Sequence, residues 1–413
     1  MIGLADQLLS SGTNFVFVFV VARTLDEHEF GVFVIGMSLT LFVAGVQRAF
    51  IGEPLLSLVS TIRDTAHRND MIHAAVVLAF LAGVAALGVI SLVSVITHDS
   101  VAALWYTAIC LPFLLVQDAC RYAALAIHRQ SAALLSDGVW FLVQFGSMAV
   151  LVTAGVDGPL ALAGTWTAGA AVAMLVLLRS LGVELGRRPV LGAWWSLSRT
   201  VSGWRTATSI AGQFQQQGIV VLVGVLLTPT AAGGLRIAQL LVAQPVTTVA
   251  AAVVTILIPL TARLHADGDG PETARMLVRV EIVAGVAAVA VAMLAWERTD
   301  LMRLVFPAYL DQADLLIPIC LQAACVCLSS PLQAVARGRR RLKPLFVGQI
   351  ACALVAIATT ALGARSHGAE GAAWGLTAGA FAFLVTSVIA CRGMSSPMRV
   401  PSHDRKEEDG CRT

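Results

Sequence analysis

Twelve mostly apolar runs of near membrane-spanning length recur along a chain of 413 residues. They lie near 3–22, 30–48, 72–96, 101–124, 132–154 and 160–178, then 205–227, 234–258, 278–296, 314–333, 344–363 and 371–391. A helix needs about 20 such residues to cross the hydrocarbon core of a bilayer. The composition agrees: 57% of residues are hydrophobic and 13% charged, where a soluble domain carries about 25% charged residues. So few charges cannot cover the surface of a water-soluble protein this long. A cytosolic enzyme, a secreted domain and a disordered chain are excluded. The expectation is an all-α polytopic membrane protein with about twelve transmembrane helices. The first run has no basic flank before it, carries Asp6 and Gln7, and lacks an A-x-A site before Arg23, so it reads as a helix rather than a cleaved signal peptide.

Orientation follows from the basic residues, which concentrate in cytoplasmic loops. Of the 28, 26 are Arg, a bias that suits a GC-rich genome. Twenty-two lie at the ends of even-numbered runs, in the loops after them or in the tail, among them Arg63, Arg68, Arg187, Arg188 and the segment Arg337 to Lys343. Five lie after odd-numbered runs: Arg23, Arg236, Arg298, Arg303 and Arg365. Arg48 stands inside the second run. Both termini are therefore expected in the cytoplasm, with the protein in the cell membrane. The net charge of +3 gives no reason to expect nucleic acid. The eight cysteines form no CxxC pair and read as small packing residues.

The runs fall into two sets of six. Residues 1–178 make an N-terminal lobe and 204–391 a C-terminal lobe. The connection 179–203, with Trp194 and Trp195 among basic residues, is either an amphipathic helix on the inner membrane face or a plain linker. The polar segment 392–413 reads as a disordered cytoplasmic tail. The lobes resemble each other. A shift of 202 residues lays Leu25 to Gly31 on Leu227 to Gly233, and a nearby register lays Glu53-Pro54-Leu55-Leu56 on Ile258-Pro259-Leu260-Thr261. Parallel duplication of this kind builds many transporters, with the site between the halves at mid-membrane.

The same shift superimposes polar residues. Gln7, Ser11 and Asn14 share one face of the first helix, and Ser209, Gln213 and Gln216 stand at the equivalent places on the seventh. Interhelical hydrogen bonding explains one or two such residues. A matched stripe on both helices favours a hydrated cavity. Charges inside the runs need reasons of their own, since each costs about 2.5–3.5 kcal/mol near the bilayer centre. Arg48, Glu53, Asp118, Arg121 and Asp137 fall in the cytoplasmic halves of helices two, four and five, Asp6 at the cytoplasmic end of helix one, and Arg236 near the outer end of helix eight. Asp118 and Arg121, three apart, are spaced to pair on one helix face. Arg48 has no carboxylate one turn away, so its partner is another helix or an anionic ligand, for which the planar guanidinium fork is suited.

No GxxxxGK[ST], HExxH or GxSxG is present, and the histidines share no ligand spacing. The expectations are no enzyme, no catalytic residues, no metal and no cofactor.

The segments Ala5-Asp6-Gln7, Ser10 to Phe15, Ala22-Arg23-Thr24-Leu25, Glu29 to Phe33 and Gly52 to Leu56, with Gly233 to Gln239 in the second half, resemble polysaccharide flippases. These belong to the multidrug/oligosaccharidyl-lipid/polysaccharide (MOP) exporter superfamily, and the resemblance runs from the first helix to about residue 391. It implies two six-helix lobes around a central cavity that alternate between inward-open and outward-open states. It implies as cargo an undecaprenyl-diphosphate-linked oligosaccharide for cell-surface polysaccharide, with membrane lipids as surroundings and glycosyltransferases or a polymerase of the same pathway as partners. Two departures stand out: no short basic segment precedes the first helix, and no thirteenth or fourteenth helix follows. The candidate substrate-binding residues are Arg48, Arg121, Arg236, Asn14, Gln213 and Gln216; the candidate ion-coupling residues are Asp6, Glu53, Asp118 and Asp137. A cation-coupled multidrug exporter of the same superfamily is the alternative, though it would want cavity carboxylates without arginines. A polytopic glycan polymerase or ligase is a weaker one, because the longest outer loop, about 297–313, is too short to hold a catalytic site.

Overall fold

The computed structural model describes the backbone of residues 2–96, 104–156, 158–183, 190–266, 270–339 and 342–392. The side chains of 2–11 and of most of 199–208 lie outside the described residues, and with them Asp6, Gln7 and Ser11; so do Arg187, Arg188 and the tail beyond 392. The fold is all-helical, and no strand occurs among the described residues. Nine segments among them are long and apolar enough to cross a membrane. The last of these, Pro344–Cys391, is two helices joined by a bend at His367-Gly368, where Gly368 takes φ 60°. With the first helix and the 16-residue Leu111–Ala126, the described long helices number twelve and stand at the places of the twelve apolar runs.

We number them α1 (Ile2–Thr24), α2 (Glu27–Thr61), α3 (Thr65–Ile96), α4 (Leu111–Ala126), α5 (Gln130–Thr153) and α6 (Pro159–Leu181). The second set is α7 (191–226), α8 (229–266), α9 (Gly270–Met293), α10 (Leu316–Gly338), α11 (342–366) and α12 (369–392). The connection 179–203 contributes to the seventh helix: α7 begins at Leu191, with Trp194 buried and Trp195 exposed.

The duplication read from sequence has a structural counterpart. Asp26 caps α2 by accepting the Glu29 backbone N–H at 2.8 Å. Thr228, 202 residues on, caps α8 by accepting from the Ala231 N–H at 3.2 Å. Both side chains satisfy a donor left open at a helix start. In each half the second and third helices pack on the fourth. Equivalent positions also meet in space: a Cβ added to Gly233 would stand 3.3 Å from the Gly31 Cα, as happens where a two-fold axis between related halves passes close by.

The lobes join chiefly along α2, whose most apolar window is 67% buried, against 6% for α9 at the periphery. At the end holding the α1–α2 turn, which we call the arginine-poor end, a Cβ on Gly31 would overlap the Pro229 carbonyl. Phe30 meets Tyr309 edge-on at 5.9 Å, Phe19 meets Phe306 at 5.3 Å, and Arg23 donates to the Val305 carbonyl at 2.7 Å. Further along α2, Phe42 packs edge-on against Phe214 of α7 at 5.9 Å, and Gln213 lies directly against Gly45. The symmetry-equivalent pair, α1 and α8, has no comparable run of contacts among the described residues. Among the described residues the two lobes thus meet along α2–α7 and not along α1–α8.

Candidate functional site

Arg48 stands 21 residues after Glu27, about 32 Å along α2 at 1.5 Å per residue. There the helix widens into a π turn, Arg48–Gly52. Such single turns insert an extra residue and recur at functional sites. Two more interrupt helices of the second lobe, Phe214–Gly218 in α7, which packs against α2, and Gln239–Ala243 in α8, which packs against α10. In α2 the turn sends its charged residues to different neighbours. Arg48 Nε donates to Asp118 Oδ2 of α4 at 2.9 Å, within its own lobe. Glu53, five residues on, accepts from the Ser209 hydroxyl of α7 at 3.0 Å, across the interface.

The Arg48–Asp118 pair is lopsided. The arginine side chain is 42% exposed and the aspartate 3%. Asp118 holds the guanidinium by Nε, and the two terminal amino groups have no partner among the described residues. A second pair lies deeper: Arg121 Nε is 3.2 Å from Asp137 Oδ2 of α5, an ion-pair approach off the hydrogen-bond line. Asp137 Oδ1 also accepts from Gln117 Nε2 at 3.3 Å, and Gln117 reaches the Ser136 hydroxyl at 3.3 Å. The spacing of Asp118 and Arg121 suggested that they pair with each other on α4. Instead each pairs with a different helix, because a buried charge gains more from a partner that also removes it from lipid than from a neighbour on its own surface. The result is an electrically balanced cluster of two arginines and two aspartates tying α2, α4 and α5 together.

The other candidates are scattered. Arg236 is half-buried on α8 toward the arginine-poor end, with no hydrogen-bond or ion-pair partner among the described residues, and it does not join the cluster. Asn14 is half-buried and Gln216 exposed. Gln213 packs at the lobe contact with Gly45. Their neighbour Gln215 is internal glue: Gln349 of α11 donates to it at 3.1 Å, and it donates to the Cys352 sulfur at 3.2 Å. Sequence reading missed Gln117 and Ser136. Both could have been found as polar doublets, Gln117-Asp118 and Ser136-Asp137, inside apolar runs. Among the described residues no three His, Cys, Asp or Glu side chains come together as a metal site would require.

Exposure sorts the polar stripe into a testable order. Cysteine at Gln216 should react fastest with a small water-soluble thiol reagent in detergent-free membranes, and cysteine at Asn14 more slowly. Cysteine at Val225, exposed on the apolar surface of α7, should not react. Equal inertness at all three would make the stripe packing glue.

Comparison with solved structures places this arrangement in a known architecture. The fold is that of MOP superfamily transporters. It matches an inward-facing multidrug resistance MATE family transporter with a TM-score of 0.69 at 12% identity, over 94% of this chain and 96% of the other. It matches the lipid II flippase MurJ in an inward closed conformation with a TM-score of 0.74 at 10% identity, over 95% and 86%. It also matches a MOP superfamily transporter from Pyrococcus furiosus, described as having a binding pocket of reverse polarity, with a TM-score of 0.60 at 11% identity, over 94% and 92%. These neighbours are transporters and a flippase. No protein-family model and no curated protein matches the sequence.

Proposed function

We propose that this chain flips an undecaprenyl-diphosphate-linked oligosaccharide from the inner to the outer leaflet by alternating access, for cell-surface polysaccharide. The carrying observation is Arg48: an arginine deep in a membrane helix, fixed by Nε to buried Asp118, with its two terminal amino groups unpaired among the described residues. Parallel N–H donors in that geometry match two oxygens of a phosphate. Asp118 acts as the positioning residue and Arg121 adds positive charge behind it. Arg236, toward the arginine-poor end and without a partner among the described residues, is the second anion contact, met as the cargo crosses. The α1–α8 side, which carries no such run of contacts among the described residues, is where a polyprenyl tail remains in lipid while the diphosphate and sugars pass between the lobes.

Glu53 is the coupling candidate whose contact must change during such a cycle, because its bond to Ser209 joins the two lobes. A multidrug exporter of organic cations is the competing reading. It calls for a carboxylate free to meet a cation, whereas Asp118 and Asp137 each face an arginine and Glu53 accepts a hydroxyl.

The test is reconstitution into liposomes with a fluorescent undecaprenyl-diphosphate oligosaccharide, following its loss from one leaflet with a membrane-impermeant quencher. Faster loss than in empty liposomes is expected, together with no accelerated efflux of ethidium. Ethidium efflux without lipid movement would replace this reading with the multidrug one.

A further inference from the structure

At the bend between α11 and α12 a recess of about 470 Å³ opens on the side of the hairpin. Its floor exists because the two helices almost touch. Gly371, Gly375 and Gly379, one turn apart on α12, lie against Gly363, Thr360 and Ala356 of α11. This small-residue seam brings membrane helices to backbone contact. Side chains are absent along the seam, so a furrow remains beside it, bounded by Thr359, Ala378 and the ring of Trp374.

Two features distinguish this furrow from ordinary helix-packing roughness. The first is where it faces. Leu362, Trp374, Phe381 and Val385 are all exposed around and beyond it, so it opens onto the apolar surface of the bundle and a hydrocarbon chain covers it in a bilayer. The second is its mouth. His367 and Glu370 line the end at the bend, and Arg365 is exposed two residues before His367. Glu370 has no ion-pair partner among the described residues. Trp374 stands one helical turn further along α12, and such a ring beside a polar mouth is of the kind that lines membrane interfaces.

We propose that this recess binds one phospholipid whose headgroup carries a primary ammonium, with an acyl chain along the glycine furrow. The ammonium donates its N–H groups to the Glu370 carboxylate and lies over the face of the Trp374 ring, whose negative charge attracts a cation. Arg365 and His367 meet the phosphate. A carboxylate at a membrane surface rejects an anionic headgroup lacking the ammonium. A quaternary ammonium has no N–H to offer it. The site lies in the C-terminal lobe, outside the arginine–aspartate cluster, and does not depend on what that cluster transports.

Native mass spectrometry of the purified full chain, delipidated and then titrated separately with phosphatidylethanolamine, phosphatidylcholine and phosphatidylglycerol, tests it. One tightly held phosphatidylethanolamine is expected, retained more than either competitor. Glu370→Gln should lower its retention about threefold, as expected for an interfacial ion pair, and leave phosphatidylglycerol unchanged or better held. Ala378→Phe, which fills the furrow without touching the glycine seam, should remove the bound lipid while thermal melting confirms the fold. Equal retention of phosphatidylglycerol by the unaltered chain overturns the proposal. So does a phosphatidylethanolamine preference that survives Glu370→Gln, which would leave Glu370 only the task of balancing the α12 N-terminal dipole. Undiminished lipid in Ala378→Phe overturns the placement of the chain.

Discussion

Arg48→Ala is expected to lower the amount of folded protein and abolish lipid flipping, and adding Asp118→Asn in the same chain is expected to restore the amount but not the flipping. The first effect follows from the pairing. Asp118 is 3% exposed, and with Arg48 gone its charge is left buried and uncompensated. Breaking a buried pair from one side costs about 3–5 kcal/mol, a large part of the roughly 5–15 kcal/mol that stabilises a typical folded protein. Neutralising the aspartate removes that cost. The second effect follows from the exposed fork, which no change at position 118 can replace. Arg48→Lys separates the roles in one step. A lysine ammonium still pairs with Asp118 and keeps the abundance, but it offers a point charge instead of two parallel donors. Flipping should fall about tenfold, the loss of one charge-assisted hydrogen bond. Immunoblotting gives the amount and the leaflet-quenching assay the flipping. If the Arg48→Ala/Asp118→Asn chain flips lipid at the original rate, Arg48 is structural and the anion-site reading fails.

Joining Phe19 to Phe306 is expected to stop transport reversibly. Their rings are 5.3 Å apart, and beside them Arg23 donates to the Val305 carbonyl. Together they close the arginine-poor end between α1 of one lobe and the segment before α10 of the other. Alternating access requires that end to part, and such interfaces switch as packed blocks rather than stretching. Cysteines at both positions, bridged by a short reducible bifunctional thiol linker, should therefore abolish flipping, and reduction should restore it. The single cysteines treated in the same way should remain active. Undiminished flipping in the bridged protein would mean that the lobes do not separate there.

The membrane class and the crossings were legible because hydropathy is a local property. A run of about 20 apolar residues must become a helix in lipid whatever its neighbours do. The duplication was legible at the turn, where Asp26 and Thr228 cap equivalent helices, because capping also acts within a few residues. Boundaries were less legible. The second run ended near Arg48, yet α2 continues to Thr61. The extra turns carry Glu53 and a π turn, and a helix end that packs on protein need not be apolar.

Charge partners were only partly legible: Arg48 was expected to find a partner on another helix and does, but which one was open. Asp118 and Arg121 looked like a pair at one-turn spacing, but Arg48 is 70 residues from the aspartate it holds. Which arginine meets which aspartate depends on how α2, α4 and α5 are brought side by side, and no pattern within a single helix encodes that. Gln215, beside the polar stripe but not part of it, teaches the same lesson: its bond to Gln349 ties α7 to α11, which no local pattern announces. The sequence by itself determined that the chain lives in the bilayer, roughly where it crosses and that its halves are related, since each of these follows from interactions spanning a few turns of helix. Only the tertiary structure decided which charges neutralise each other, where the lobes are sealed and which guanidinium keeps its fork open, because those depend on contacts between residues far apart along the chain.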